Sequence, residues 1–144
     1  MPEIVCGPID RSQIAEEVPF MSALFSNGDA KIAAMYGVGC NTDDLWKEVM
    51  VPVSGLAGWM NDSIHAGTYV PGECDVIISD RNRLTVRLCH ESDIHVLTTE
   101  SATIRECVER WLHLGYRVMA RNDSSTARED WREVHTVADA LDLQ

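Results

Sequence analysis

Residues 75–98 read DVIISDRNRLTVRLCHESDIHVLT. Leu84, Val86 and Leu88 alternate with Arg83, Thr85 and Arg87, the period-two pattern of a half-buried strand, and Val76 and Ile78 supply a partner strand before it. Opposed residues of an antiparallel pair share a face. Ile78 and Val76 are therefore set against Leu84 and Val86, which requires a loop of odd length. Asp80, Arg81 and Asn82 provide three residues, with Asn82 suited to the left-handed position such loops need. The same parity places Leu88 opposite Ile94 and Val86 opposite Val96, across an odd loop centred on Glu91. A three-stranded antiparallel meander is expected.

On the C-terminal side, residues 99–114 place Ile104, Cys107, Val108, Trp111 and Leu112 on one helical face, with Gly115 where a C′ glycine belongs. Residues 116–120 (YRVMA) read as a fourth strand and 121–125 as a polar loop. Thr126 to Glu129 form a capping box, followed by a last helix with Trp131, Val134, Ala138 and Leu141 on its apolar side. On the N-terminal side, Asp10 caps a helix carrying Ile14, Val18 and Met21, which Pro19 breaks or restarts and Gly28 closes. Residues 31–38 (KIAAMYGV) fit a short strand or a helical turn. Asn41 or Thr42 caps a helix with Leu45, Trp46, Val49 and Met50, interrupted at Pro52 and resumed through Leu56, Trp59, Met60 and Ile64 to Gly67. All four tryptophans fall at core spacing in these predicted helices.

The sum is an α+β fold in the order ααα-βββ-α-β-α. An antiparallel sheet of about four strands, the meander plus one, has helices packed mainly on one face. No repeat or Pro/Gly-rich linker divides the 144 residues, so residues 1–144 are read as a single domain. Hydrophobic residues at 45% and charged residues at 24% exclude disorder and fibrous repeats. The first residues, MPEIVCGPID, lack the basic and apolar parts of a secretory signal. The longest charge-free run, Val49 to Met60, is too short to span a bilayer. Five cysteines without C-x-x-C spacing fit reduced thiols, so a cytoplasmic protein is expected.

Twelve Lys and Arg against 23 Asp and Glu give a net charge of −11, which repels phosphate backbones and anionic lipid and so argues against nucleic-acid and membrane partners. One segment concentrates chemistry: Cys89, His90, Glu91, Asp93 and His95 crowd a thiol, two imidazoles and two carboxylates into seven residues. His90, Glu91, Asp93 and His95 are weak candidates for a metal, because the parity that buries Leu88 and Ile94 turns Glu91, Asp93 and His95 toward solvent. No metal or other cofactor is expected. Cys89 and His90 are strand neighbours on opposite faces, and Cys107 and His113 lie six apart on one helix, so neither pair suits a thiol nucleophile. Gly37-Val38-Gly39 has Asp43 and Asp44 after it, which would repel a phosphate.

An excess of acid without a visible catalytic constellation suits recognition of a basic protein surface. Size and charge are similar to those of immunity-type inhibitors, and that resemblance implies an acidic protein-binding module that neutralises a cationic toxin or effector by electrostatic docking. The contact is placed on Asp43, Asp44, Glu48, Glu91 and Asp93. The apolar run Val49 to Met60 leaves room for a homodimer. The alternative is an enzyme or small-molecule binder with a His/Glu/Asp site at residues 89–95 and a pocket between the Val49–Met60 helix and the sheet, His90 or His95 acting as acid or base.

Overall fold

The computed structural model describes residues 1–25, 30–122 and 130–142. Its elements run β1 (Glu3–Cys6), α1 (Arg11–Ala23), β2 (Lys31–Tyr36), β3 (Glu48–Pro52), α2 (Leu56–His65), β4 (Val76–Ser79), β5 (Leu84–Leu88), β6 (Ile94–Thr98), α3 (Ser101–His113), β7 (Val118–Arg121), β8 (Arg132–Val134) and α4 (Val137–Leu141). The strands form one eight-stranded sheet in the order β3-β2-β4-β5-β6-β1-β7-β8, antiparallel throughout. This replaces the expected sheet of about four strands and the order ααα-βββ-α-β-α.

The meander itself stands. Leu88 faces Ile94 and Val86 faces Val96, and the even-numbered residues of β4 and β5 share a face. The first hairpin is displaced by two positions, with Val76 opposite Leu88 and Ile78 opposite Val86. Asp80 sets that register: its carboxylate accepts from the N–H groups of Asn82, Arg83 and Leu84 at 2.9, 2.8 and 3.0 Å, closing a loop over 81–83. Arg81, not Asn82, takes the left-handed conformation, at φ 66.

Three strands depart from the sequence reading and a fourth, β2, takes one of its two alternatives. β1 lies at positions that showed no strand signal, because all four of its residues are buried and a strand covered on both faces does not alternate. β2 resolves the ambiguous run 31–36 as a strand. β3 occupies part of the expected helix over 42–50; Ala33 pairs with Met50 and Ala34 with Val49 across the β2–β3 ladder. The helical spacing of Leu45, Trp46, Val49 and Met50 was coincidental, and Pro52 ends an edge strand, where a missing N–H is tolerated. β8 pairs with β7 where a helix beginning near Trp131 was expected, leaving only α4 helical. The Thr126–Glu129 capping box and Gly28 lie outside the described residues. Conversely, α1 runs unbroken through Pro19, whose ring sits on its exposed side, and Asp10 and Gln13 form its capping box.

One face of the sheet carries Ile4, Cys6, Ile32, Ala34, Val76, Ile78, Leu84, Val86, Leu88, Ile94, Val96, Val118 and Ala120. It packs against Ile14, Val18 and Met21 of α1, Leu56 and Met60 of α2, Ile104, Cys107, Val108 and Trp111 of α3 and Ala140 of α4. Each such Ile or Leu contributes about 1.5–3 kcal/mol by leaving water. A polar joint fixes α1 on α3. Glu17, fully buried, accepts from Arg110 at 2.5 Å and from the Trp111 indole N–H at 2.7 Å. Among the described residues no helix is long and apolar enough to cross a membrane.

Candidate functional site

The opposite face of the sheet is polar where a second core might have been. Register puts Ile77, Arg87, His95 and Val5 in one cross-strand row and Ser79, Thr85, Leu97, Glu3 and Arg121 in the next. Adjacent strands bring such opposed side chains within direct reach of one another. Glu3, only 4% exposed, is the hub. Its Oε1 accepts from His95 Nδ1 at 2.7 Å, and its Oε2 accepts from Arg121 Nε at 2.9 Å. His95 Nε2 donates to Asp93 at 3.0 Å. The Arg121 guanidinium lies 4.3 Å over the Trp131 ring, and the same ring meets His95 edge-on at 6.3 Å between centroids.

Burial alone would pull the His95 pKa down. Hydrogen bonds to Asp93, Cys89 and Glu3 outweigh it and push the pKa up to about 10. Burial would raise Glu3 and Asp93 as well, but bonds from His95, and from Arg121 in the case of Glu3, hold both below the usual carboxylate range. The ring is therefore an imidazolium at neutral pH with both N–H groups engaged. In that state it has no lone pair with which to act as a base.

Beside this network, Cys89, Asp93 and His95 bring a ligand atom each within 4.8 Å of one another, as do Asp75, Cys89 and His90. These are donor types that zinc accepts, and Glu3 on Nδ1 has the form of an outer-sphere partner. A cation there would have to displace the proton that Glu3 and Asp93 stabilise on His95, with the Arg87 guanidinium 3.7 Å from the Cys89 thiol. The Cys89 Sγ lies 3.9 Å from His90 Nδ1, closer than strand alternation allowed, because both residues sit in the turn beyond β5. That same Nδ1 is 2.8 Å from buried Asp75, whose carboxylate also accepts the His90 backbone N–H at 2.6 Å. Thiol and carboxylate thus address one nitrogen, whereas a nucleophile–base–orienter relay uses both. Of the Val49–Met60 helix expected to wall a pocket, residues 48–52 are sheet and only the part from Leu56 is helical.

A second feature occupies the end of the sheet where β2 stops and β3 starts. Trp46 is 53% exposed, and Val38, Leu45, Val49 and Met50, close to it along the chain, are exposed too, although Val49 and Met50, consecutive in β3, point to opposite faces of the sheet. Trp46 adopts φ 64, a conformation that costs a bulky L residue about 1–2 kcal/mol, and a 2.7 Å bond from its N–H to the Tyr36 carbonyl holds it there. Its ring lies over Gly37, where a Cβ would meet two ring atoms at 2.9 Å. The expectation that all four tryptophans are core is met by Trp111 but not by Trp46, while Trp59 and Trp131 are half-buried.

Of the nominated acids, Asp43, Asp44 and Glu48 are exposed next to Trp46, in turns and at the start of β3 rather than on a helix. Asp44 pairs with Lys47 at 3.3 Å, and Glu48 with Arg81. Glu91 is exposed on the β5–β6 turn, at this same end, linked back through His90 and Asp75 to Gly37. Asp93 points instead into the His95 network. Glu3, Arg87 and Arg121 escaped the sequence reading; the signal available was an odd-numbered polar row opposite the core face, continuing from Arg87 through His95. Comparison with protein-family models, with curated proteins and with solved structures returns no match.

Proposed function

We propose that this protein is an acidic protein-binding module of the immunity type, which docks through the β2–β3 end of its sheet onto a cationic toxin or effector and masks it. The observation that carries this reading is Trp46, held out into solvent in a strained backbone conformation on the same sheet face as exposed Met50. Tryptophan is the residue type most enriched among interface anchors, and large apolar groups seldom cluster on a surface without a partner. Asp43, Asp44, Glu48 and Glu91 stand around or near the patch, and the whole chain carries −11. A basic partner is the complement. Because Lys47 and Arg81 already pair with two of these acids, the apolar anchor supplies affinity and the long-range field supplies association rate. Five unpaired thiols support a reducing, cytoplasmic setting.

The test compares capture of partners from native lysate by the wild-type chain, by Trp46→Ala and by the triple reversal Asp43→Lys, Asp44→Lys, Glu48→Lys. A basic protein retained by wild type should bind Trp46→Ala about 30-fold more weakly, and the triple reversal should slow its association about tenfold at low salt. A partner captured equally by all three, or one whose association is indifferent to ionic strength, refutes this mode of docking.

A further inference from the structure

We propose that the polar face of the sheet binds a small carboxylate, its carboxylate group on Arg87 and its apolar body on Ile77 and Leu97. A cavity of about 390 Å³ opens on this face, lined by Glu3, Ile77, Thr85, Arg87, His95, Leu97 and Arg121. That volume lies within the range of small-molecule sites.

Positive charge and hydrogen-bond donors are left over on this wall. Both oxygens of Glu3 are engaged: His95 takes one and Arg121 the other. His95 spends both N–H groups on Glu3 and Asp93. Arg87 is different. Among the described residues its guanidinium has no carboxylate within 4 Å, its Nε is buried with no hydrogen-bond partner, and its one polar contact is the Cys89 sulfur at 3.7 Å. A half-buried cation with unmet donors is costly unless something anionic completes it. In a chain of net charge −11, a wall holding two guanidiniums and an imidazole against one carboxylate is out of keeping with the rest of the surface.

The geometry narrows the class of anion. A guanidinium fork matches the two oxygens of a carboxylate. Glu3 on the same wall and Asp93 bonded to His95 disfavour a dianion, so a phosphate fits worse than a monoanion. Ile77 lies directly across the ladder from Arg87, and Leu97 lies across from Thr85, so apolar surface flanks the cation on both neighbouring strands. An aliphatic or aromatic acid meets both requirements. The site is separate from the Trp46 end of the sheet, and the inference does not depend on the docking reading.

The test is an NMR titration of the full chain with benzoate and with butyrate, at constant ionic strength, following the Arg87 Nε–H and the Ile77 and Leu97 amides. Saturable shifts with a Kd on the order of 1 mM are expected for so small a ligand, with Arg87→Met weakening binding about tenfold or more and Arg87→Lys by less. Inorganic phosphate should give no saturable shift. Shifts that stay linear to about 20 mM, or an Arg87→Met variant that binds as wild type does, overturn the site. Phosphate binding as tightly as benzoate overturns the assignment to carboxylates. Should Arg87→Met fail to fold, Arg87→Lys carries the test, and an unchanged Kd there counts equally against it.

Discussion

The ionised His95 makes stability depend on pH in a direction that can be worked out. Its pKa lies at about 10 in the folded chain, against about 6.5 in the unfolded one. A group whose pKa is raised by folding contributes fully below its unfolded value, and the contribution is lost as pH rises through the folded one. At pH 6.5 the unfolded ring is half protonated and by pH 8 almost wholly neutral, while the folded ring keeps its proton throughout, so unfolding releases about half a proton at the start of the interval and close to one at its end. The slope steepens from about −0.7 to about −1.4 kcal/mol per pH unit, or about 1.6 kcal/mol over that window. That interval stops short of the thiols, whose own raised values in Cys6 and Cys40 would add a second decline higher up. The assay is urea unfolding at pH 6.5, 7.25 and 8 for wild type and for His95→Gln. Gln keeps a donor for Asp93 but cannot be protonated. Wild type should lose about 1.6 kcal/mol more than the variant across the series, starting from higher stability. Parallel curves would mean that His95 is not the imidazolium its two carboxylates imply.

Three further substitutions test the scaffold. Glu17→Ala leaves the buried Trp111 indole N–H without an acceptor and Arg110 without its partner, and should cost about 3 kcal/mol or more by urea unfolding. Asp80→Ala removes the acceptor for three backbone N–H groups and should cost about 1–2 kcal/mol, with Asp80→Asn recovering most of it. Trp46→Gly relieves a left-handed residue while giving up an exposed ring, so the unfolding midpoint should move by less than about 1 kcal/mol in equivalent stability even as partner capture falls.

What the sequence revealed and what it hid follow from one physical distinction. Where a strand is buried on one face and wet on the other, its pattern alternates, and Leu84 to Leu88 with Ile94 and Val96 could be paired by parity alone. Where both faces are covered, alternation vanishes: Glu3–Cys6 reads as an irregular N-terminal stretch, yet it is the strand on which β6 and β7 meet. The candidate site inherits that blindness. His95 and Asp93 were visible as a local cluster, but their environment is set by Glu3, 92 residues from His95 in sequence, and by Arg121 beyond it. Parity correctly sent His95 to the face away from the helices and wrongly equated that face with solvent, because a sheet of eight strands can bury polar groups on its second face once they neutralise one another. Arg87 is the residue in that row whose guanidinium no carboxylate of the described chain contacts directly, Asp93 acting on it only at longer range. A cation with an unmet donor beside a cavity is a reason for a ligand, which makes the register of β1 the structural fact on which the carboxylate site stands: slip that strand by one residue, and Glu3 turns into the helix-packed core while Arg121 and His95 lose the group that holds them.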